Sequence, residues 1–130
     1  MRLTASGLAQ PIALFLRPAP ARRQVEALLR REGWRGEADG VALALHEALV
    51  NAARHAGGVR RAEAALDGSS LVISVWDRGP GFDPSPYVNH SPDPMAEQGR
   101  GLWLISQLTS SWEVRRDDEG TAVVMRFDRL

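Results

Sequence analysis

The chain has 130 residues, enough for one two-layer core but not two, and its 44% hydrophobic and 25% charged residues are ordinary for a globular protein. Its formal net charge is zero and its 16 basic residues are all arginine, scattered along the chain, which argues against the concentrated basic face of a nucleic-acid reader. With no cysteine, no bilayer-length apolar run and no signal-peptide pattern, we expect a cytoplasmic protein without a membrane partner.

The first half of the chain predicts one strand and two helices. Residues 1–9 are small and polar and are interpreted as a loose leader before a single domain over residues 10–130. The short apolar run 11–17 predicts a strand, and Pro20 predicts the first turn of a helix that Gly33 closes. The longest predicted helix, over residues 37–56, has an apolar stripe of period near 3.6. This stripe comprises Val41, Leu45, Ala48, Leu49, Ala52 and Ala56.

The second half predicts two hairpins separated by a loop and a helix. Alternating apolar residues predict strands at 59–66, 70–77, 112–117 and 121–128. In the second of these, both alternating sets contain apolar residues, which is compatible with cover on both faces. Five prolines punctuate residues 79–99, which favours a functional lid at about 83–98, and a helix is predicted from Gly101 to Ser110. This order favours the α+β class: a two-layer sandwich of a mixed, mostly antiparallel sheet backed by helices on one face.

Three polar side chains share one face of the longest predicted helix. Glu47, Asn51 and His55 are spaced four residues apart, so they lie one above another and off the apolar stripe. An asparagine oxygen suits Mg²⁺, which keeps waters and phosphate oxygens as further ligands, and Glu47 could deprotonate an attacking hydroxyl. The same spacing also fits a solvated polar face, and His55 alone fits a charge at a helix C-terminus.

A second candidate site follows the strand that ends at Asp77. A carboxylate there can accept a hydrogen bond from an exocyclic amine such as that of adenine, and Gly79 and Gly81 allow backbone to lie close to a ring. The alternative is a plain turn, because Asp, Gly and Pro are common after strands.

A third candidate, Gly99-Arg100-Gly101-Leu102, opens the predicted helix after the lid. Backbone N–H groups at a helix N-terminus bind anions, glycine admits a phosphate, and arginine adds charge. The motif is not the Walker loop, which needs a lysine, and it does not follow a strand as the dinucleotide fingerprint does. A glycine-rich hinge is the alternative, and Gly120-Thr121 alone would be only a turn and a strand residue.

In this order the motifs resemble those of the Bergerat-fold ATPases, which include type II topoisomerases, heat-shock chaperones, mismatch-repair ATPases and histidine kinases. The matching stretches are EALVNAARHA at residues 47–56, Asp77-x-Gly79-x-Gly81, Gly99-x-Gly101-Leu102 and Gly120-Thr121. The small size, the end of the first motif and the string GRGLWLI are most similar to anti-sigma-factor serine kinases, and the resemblance covers about residues 10–128.

The resemblance implies ATP and Mg²⁺ as cofactors, with a role for each matching residue. Asn51 would coordinate Mg²⁺, Glu47 would take the proton from a protein serine or from water, and Asp77 would read the adenine amine. The other implied nucleotide-binding residues are Gly79 and Gly81 beside the base, Thr121 supporting Asp77 through water, and Gly99, Arg100, Gly101 and Leu102 at the phosphates.

The resemblance also implies partners: a sigma factor, a small anti-anti-sigma antagonist whose serine is phosphorylated, and a second copy in a homodimer. The sequence departs from the family where Gln98 stands in place of the first of two glycines before the arginine. Three alternatives therefore remain: an ATP-binding regulatory module without kinase activity, the catalytic half of a histidine kinase in which His46 is poorly placed as phosphoacceptor, and a scaffold that ignores nucleotide.

Overall fold

The computed structural model describes residues 10–34, 38–55, 57–79, 100–118 and 120–128. Its elements in chain order are β1 (Ile12–Ala13), α1 (Pro18–Arg31), α2 (Ala38–His55), β2 (Val59–Asp67), β3 (Ser70–Asp77), α3 (Arg100–Leu108), β4 (Ser111–Asp117) and β5 (Gly120–Asp128). The predicted leader over residues 1–9 and the predicted lid over residues 83–98 lie outside the described residues.

The five strands form one sheet in the order β1-β2-β3-β5-β4. All four pairings between the described strands are antiparallel, so the α+β class and the helix-backed sheet are confirmed, while the parallel pairing of a mixed sheet is absent from these ranges. A short turn closes each of the two hairpins, β2–β3 and β4–β5. Gly68 provides the positive φ of 61° that the β2–β3 turn needs. The register places Asp77 of β3 opposite Thr121 of β5.

The core lies between the helices and one face of the sheet. The predicted stripe on α2 is buried, apart from Ala56, which lies outside the described residues, and the sheet contributes residues from β2, β3 and β5. Leu71, Ile73 and Val75 of β3 are at most 1% exposed, whereas Val72, Ser74 and Trp76 on the other face are half-buried. Helices therefore cover β3 on one face, and on the other face the Arg61 guanidinium lies 3.9 Å from the ring centroid of Trp76.

Strand β1 is shorter than the apolar run 11–17 predicts. Its ladder with β2 comprises Ile12 and Ala13, followed by one further backbone bond from Leu14 N to Ala62 O at 2.8 Å. On the edge of β1 away from β2, the backbone bonds to the side chain of Gln24 on α1. Its Oε1 accepts from Phe15 N at 2.7 Å, and its Nε2 donates to Ala13 O at 3.1 Å. The chain then turns into α1, whose first residue is Pro18. Among the described helices, none is long and apolar enough to span a membrane.

Candidate functional site

Glu47 and Asn51 lie one turn apart on α2, on the side of the helix that meets α3. Both residues are half-buried, because the neighbouring Ala48, Leu49 and Ala52 are buried and fix the rotation of the helix. The Glu47 carboxylate reaches the first turn of α3: its Oε2 lies 2.9 Å from the position that a Cβ would take on Gly101. Glu47 is therefore held between two helices and does not lie on a freely solvated face.

Glycine at position 101 makes this approach possible. A side chain there would displace the Glu47 carboxylate, since real Cβ atoms hardly ever lie so close to another heavy atom. Leu102 and Ile105 anchor α3 in the core, and Arg100 begins the helix as an exposed residue. The first turn of α3 contains no acidic side chain, so its backbone N–H groups and its dipole favour an anion at this end.

Asp77, the last residue of β3, is a buried carboxylate with only 5% of its surface exposed. Its Oδ1 accepts the backbone N–H of Gly79 at 2.7 Å. Burial raises the pKa of Asp77, while backbone hydrogen bonds from Gly79 and Thr121 and the charge of Arg60 act against that rise. An ionised carboxylate has about four acceptor positions, more than these two backbone donors fill. Asp77 therefore fits a ligand that brings its own donor, such as an exocyclic amine.

Strand β5 packs against Asp77 and the turn that follows it. The Thr121 hydroxyl donates to the carbonyl oxygen of Gly79 at 3.1 Å, and Thr121 is only 1% exposed. Thr121 therefore bonds directly to the turn that follows Asp77, and its implied contact with Asp77 through water stays a prediction. At Gly120 a Cβ would lie 1.9 Å from the Asp77 carbonyl oxygen, so the two backbones approach at a distance that only glycine allows.

The two groups of residues are continuous in space. At the end of α2, the position of a Cβ on Gly57 lies 3.5 Å from Cβ of Arg78, in the turn after Asp77. The structure thus joins the helix that carries Glu47 and Asn51 to the strand end that carries Asp77. Gly81 and Gly99 lie outside the described residues, as does the side chain of His55.

A groove of about 480 Å³ lies elsewhere, between the outer sides of α1 and α2. It is lined by residues that include Arg22, Asp39, Leu43 and His46, and it contains none of the predicted site residues. Within the described ranges, no three His, Asp or Glu side chains are grouped closely enough to hold a metal ion.

Two residues near Asp77 were missed by the sequence analysis. Nη2 of Arg60 donates to both carboxylate oxygens of Asp117, at 3.1 and 2.8 Å. In the sequence, Arg60 is one of several scattered arginines and Asp117 is the last residue of a predicted strand. No spacing rule connects two residues 57 positions apart, so only the register of the sheet reveals them.

Comparison with known proteins assigns the family. Residues 16–127 match the model of the histidine kinase-like ATPase domain, and the chain belongs to this family. It is therefore an ATP-binding domain of the kinase-like ATPase type. A search of curated proteins found no match.

Two solved structures share the fold. The catalytic domain of the histidine kinase ThkA aligns with a TM-score of 0.59 at 13% identity, covering 83% of this chain and 89% of that one. A mycobacterial sensor histidine kinase, MprB, aligns with a TM-score of 0.56 at 20% identity, covering 93% and 97%. At these identities the likeness establishes the architecture, and the reaction must be argued from the site.

Proposed function

We propose that the protein is a Mg-ATP-dependent serine kinase of the anti-sigma-factor type, which phosphorylates a small anti-anti-sigma antagonist and thereby regulates a sigma factor. The observation that carries this proposal is the half-buried Glu47 carboxylate, held against the first turn of α3 and one helical turn from Asn51. The resemblance of the four motifs to anti-sigma-factor kinases supplies the serine and the partners.

The residues divide the work of phosphoryl transfer between two ends of the site. Asp77 accepts the amine of adenine, and the turn held by Thr121 and Gly79 fixes its carboxylate. At the other end, backbone N–H groups of the first turn of α3 and the Arg100 guanidinium meet the phosphates. Asn51 offers a neutral oxygen to Mg²⁺, which would neutralise the charge on the phosphates.

Glu47 is the general base in this proposal. The serine oxygen bonds to the terminal phosphorus, the bond from that phosphorus to the ADP oxygen breaks, and the hydroxyl proton passes to the Glu47 carboxylate. Placement between α2 and α3 suits this role, because a base must be held within hydrogen-bonding distance of the proton it removes. Homodimerisation and a cytoplasmic location belong to the same proposal and are supported by the resemblance and by the composition.

Transfer to this chain's own His46 is disfavoured by geometry. His46 is exposed and lines the groove between α1 and α2, whereas Glu47 faces α3. The proton acceptor and this imidazole therefore point to different sides of the helix. Stable label on a histidine of this protein would contradict that conclusion.

The test is phosphate transfer from γ-labelled Mg-ATP to small anti-anti-sigma-type domains from the same genome. We expect label on a serine of one domain, lost by about 10²–10⁴-fold in Glu47→Ala, with ATP affinity retained. Glu26→Ala is a matched control, because Glu26 lies on α1 and its partner is Arg22 at 3.2 Å. Transfer by Glu47→Ala at the wild-type rate would disprove the base role. If no domain is labelled while Mg-ATP still binds, the protein is instead a nucleotide-gated binding module.

A further inference from the structure

Arg60 occupies an irregular position in β2, opposite the last residues of β3. Val59 pairs with Asp77 and Arg61 pairs with Trp76, so Arg60 is an extra residue in the ladder. A bulge of this kind redirects side chains, and bulges are common beside functional sites. Here it separates two consecutive arginines: Arg61 stacks on Trp76, and Arg60 reaches the turn between β4 and β5.

The contact of Arg60 with Asp117 connects strands that are not neighbours. In the sheet order, β3 and β5 lie between β2 and β4, so the ion pair crosses the end of the sheet at which Asp77 lies. The Arg60 side chain is only 15% exposed, whereas that of Asp117 is 46% exposed. A charge-assisted contact with one partner largely removed from water is better ordered than an ordinary surface ion pair.

Asp117 also bonds to the backbone of Gly120, which lies against Asp77. Oδ1 of Asp117 accepts the N–H of Gly120 at 2.9 Å. Gly120 is the residue at which β5 passes so close to the Asp77 carbonyl that no Cβ fits. A continuous series of contacts therefore runs from Arg60 through Asp117 and Gly120 to Asp77. The positive charge of Arg60 also favours the ionised form of the Asp77 carboxyl and so lowers its pKa, against the larger effect of burial.

We propose that Arg60 and Asp117 are positioning residues for recognition of adenine. They hold the β4–β5 turn so that Asp77 meets the exocyclic amine of adenine and discriminates against nucleobases that lack this amine. A hydrogen bond weakens steeply when its geometry is lost. A buried polar group also rejects a ligand that leaves it without a donor. The inference rests on the role of Asp77 in adenine binding that is proposed above, and it does not depend on phosphate transfer to serine.

The experiment compares equilibrium binding of ATP and of inosine triphosphate, which carries an oxygen in place of the amine. In Arg60→Gln we expect ATP to bind roughly tenfold more weakly, with a much smaller change for inosine triphosphate. The ratio of the Kd for inosine triphosphate to the Kd for ATP should therefore fall. Asp117→Asn should give the same direction of change. The double variant should be little worse than either single one, because both remove one interaction.

Arg126→Gln is the matched control, because Arg126 pairs with Asp67 at 3.0 Å at the opposite end of the sheet, with both side chains 40% exposed. It should change thermal stability without changing the ratio. Arg60→Lys should retain part of the selectivity, since an ammonium can still bond to Asp117.

Two results would overturn the inference: an unchanged ratio in folded Arg60→Gln, which includes an equal loss of affinity for both nucleotides, or a wild-type protein that binds both nucleotides equally well. If Arg60→Gln does not fold, an unchanged ratio in Asp117→Asn overturns it in the same way. Failure of the kinase assay affects none of these readouts, so the two proposals are tested separately.

Discussion

Replacing Gly120 with alanine should disrupt the adenine end of the proposed site through collision with the backbone of Asp77, in addition to the strain of a side chain at a φ of 157°. The added Cβ would lie 1.9 Å from the carbonyl oxygen of Asp77 and 2.9 Å from Cα of Arg78. To restore a contact of about 3.5 Å, the two strands must separate by roughly 1.6 Å at this point. That shift would also break the bond of 3.1 Å from the Thr121 hydroxyl to the carbonyl of Gly79.

The magnitude follows from these two losses. Overpacking against backbone costs about 1–3 kcal/mol and the lost hydrogen bond about 1 kcal/mol. Together they lower the melting temperature of a chain of this size by roughly 8–16 °C. A displaced Asp77 would lose the hydrogen bond to adenine that we propose, so ATP should bind about 10–100-fold more weakly.

Thermal unfolding and ATP titration of Gly120→Ala measure both effects, with Gly68→Ala as control. Gly68 lies in the β2–β3 turn with a φ of 61° and no atom within 4 Å of its Cβ position. Alanine there should cost about 1–2 kcal/mol of stability through backbone strain and leave ATP affinity unchanged. If Gly120→Ala melts and binds ATP like the wild-type protein, the close approach of β5 to Asp77 is refuted.

Two further changes test the other end of the site and the buried carboxyl. Gly101→Ala should lower the rate of phosphate transfer at saturating ATP roughly tenfold by displacing the Glu47 carboxylate. Gly40→Ala, where a Cβ would meet Leu108 at an ordinary 3.6 Å, should leave that rate unchanged, and equal rates in both variants would contradict the contact. Burial raises the pKa of Asp77, so the native state binds this proton more tightly than the unfolded chain, and the stabilisation present below about pH 4 is lost as the pH rises. Asp77→Asn has no ionisable group at this position and so does not lose stability in this way. The melting temperature of the variant minus that of the wild-type protein should therefore rise from about pH 4 to pH 7. A difference that stays constant with pH would be inconsistent with a raised pKa of Asp77.

The sequence predicted the long helix and both hairpins to within a few residues, because apolar periodicity reports local structure that the core then enforces. The helix expected over residues 37–56 runs over Ala38–His55, and the strand expected over residues 70–77 is Ser70–Asp77. The first strand was overestimated because Pro11 to Leu16 are all apolar, yet Phe15 is 62% exposed. Periodicity could not show that the backbone bonds to β2 end at Leu14, nor that Gln24 would bond to the backbone of Ala13 and Phe15.

For the site, the sequence supplied residue identities and the fold supplied their distances. Spacing placed Glu47 and Asn51 on one face of a helix, but it could not show that this face meets α3. Nor could it show that Gly120 is required by the backbone of Asp77, since the two residues are brought together only by the β3–β5 register. The Arg60–Asp117 pair was invisible for the same reason, because it depends on a bulge and on a strand order that local patterns do not encode.

The way in which the short helix α3 is anchored bears on how a partner protein could inhibit phosphate transfer. Only Leu102 and Ile105 of its nine residues are buried, while its first turn lies against the Glu47 carboxylate. A protein that tilted α3 about these two side chains would move the N–H groups of its first turn, proposed above to bind phosphate, away from the Glu47 carboxylate on α2, and would leave the surroundings of Asp77 intact. In kinetic terms such a regulator would lower kcat without competing with ATP, and raising the nucleotide concentration would not relieve the inhibition.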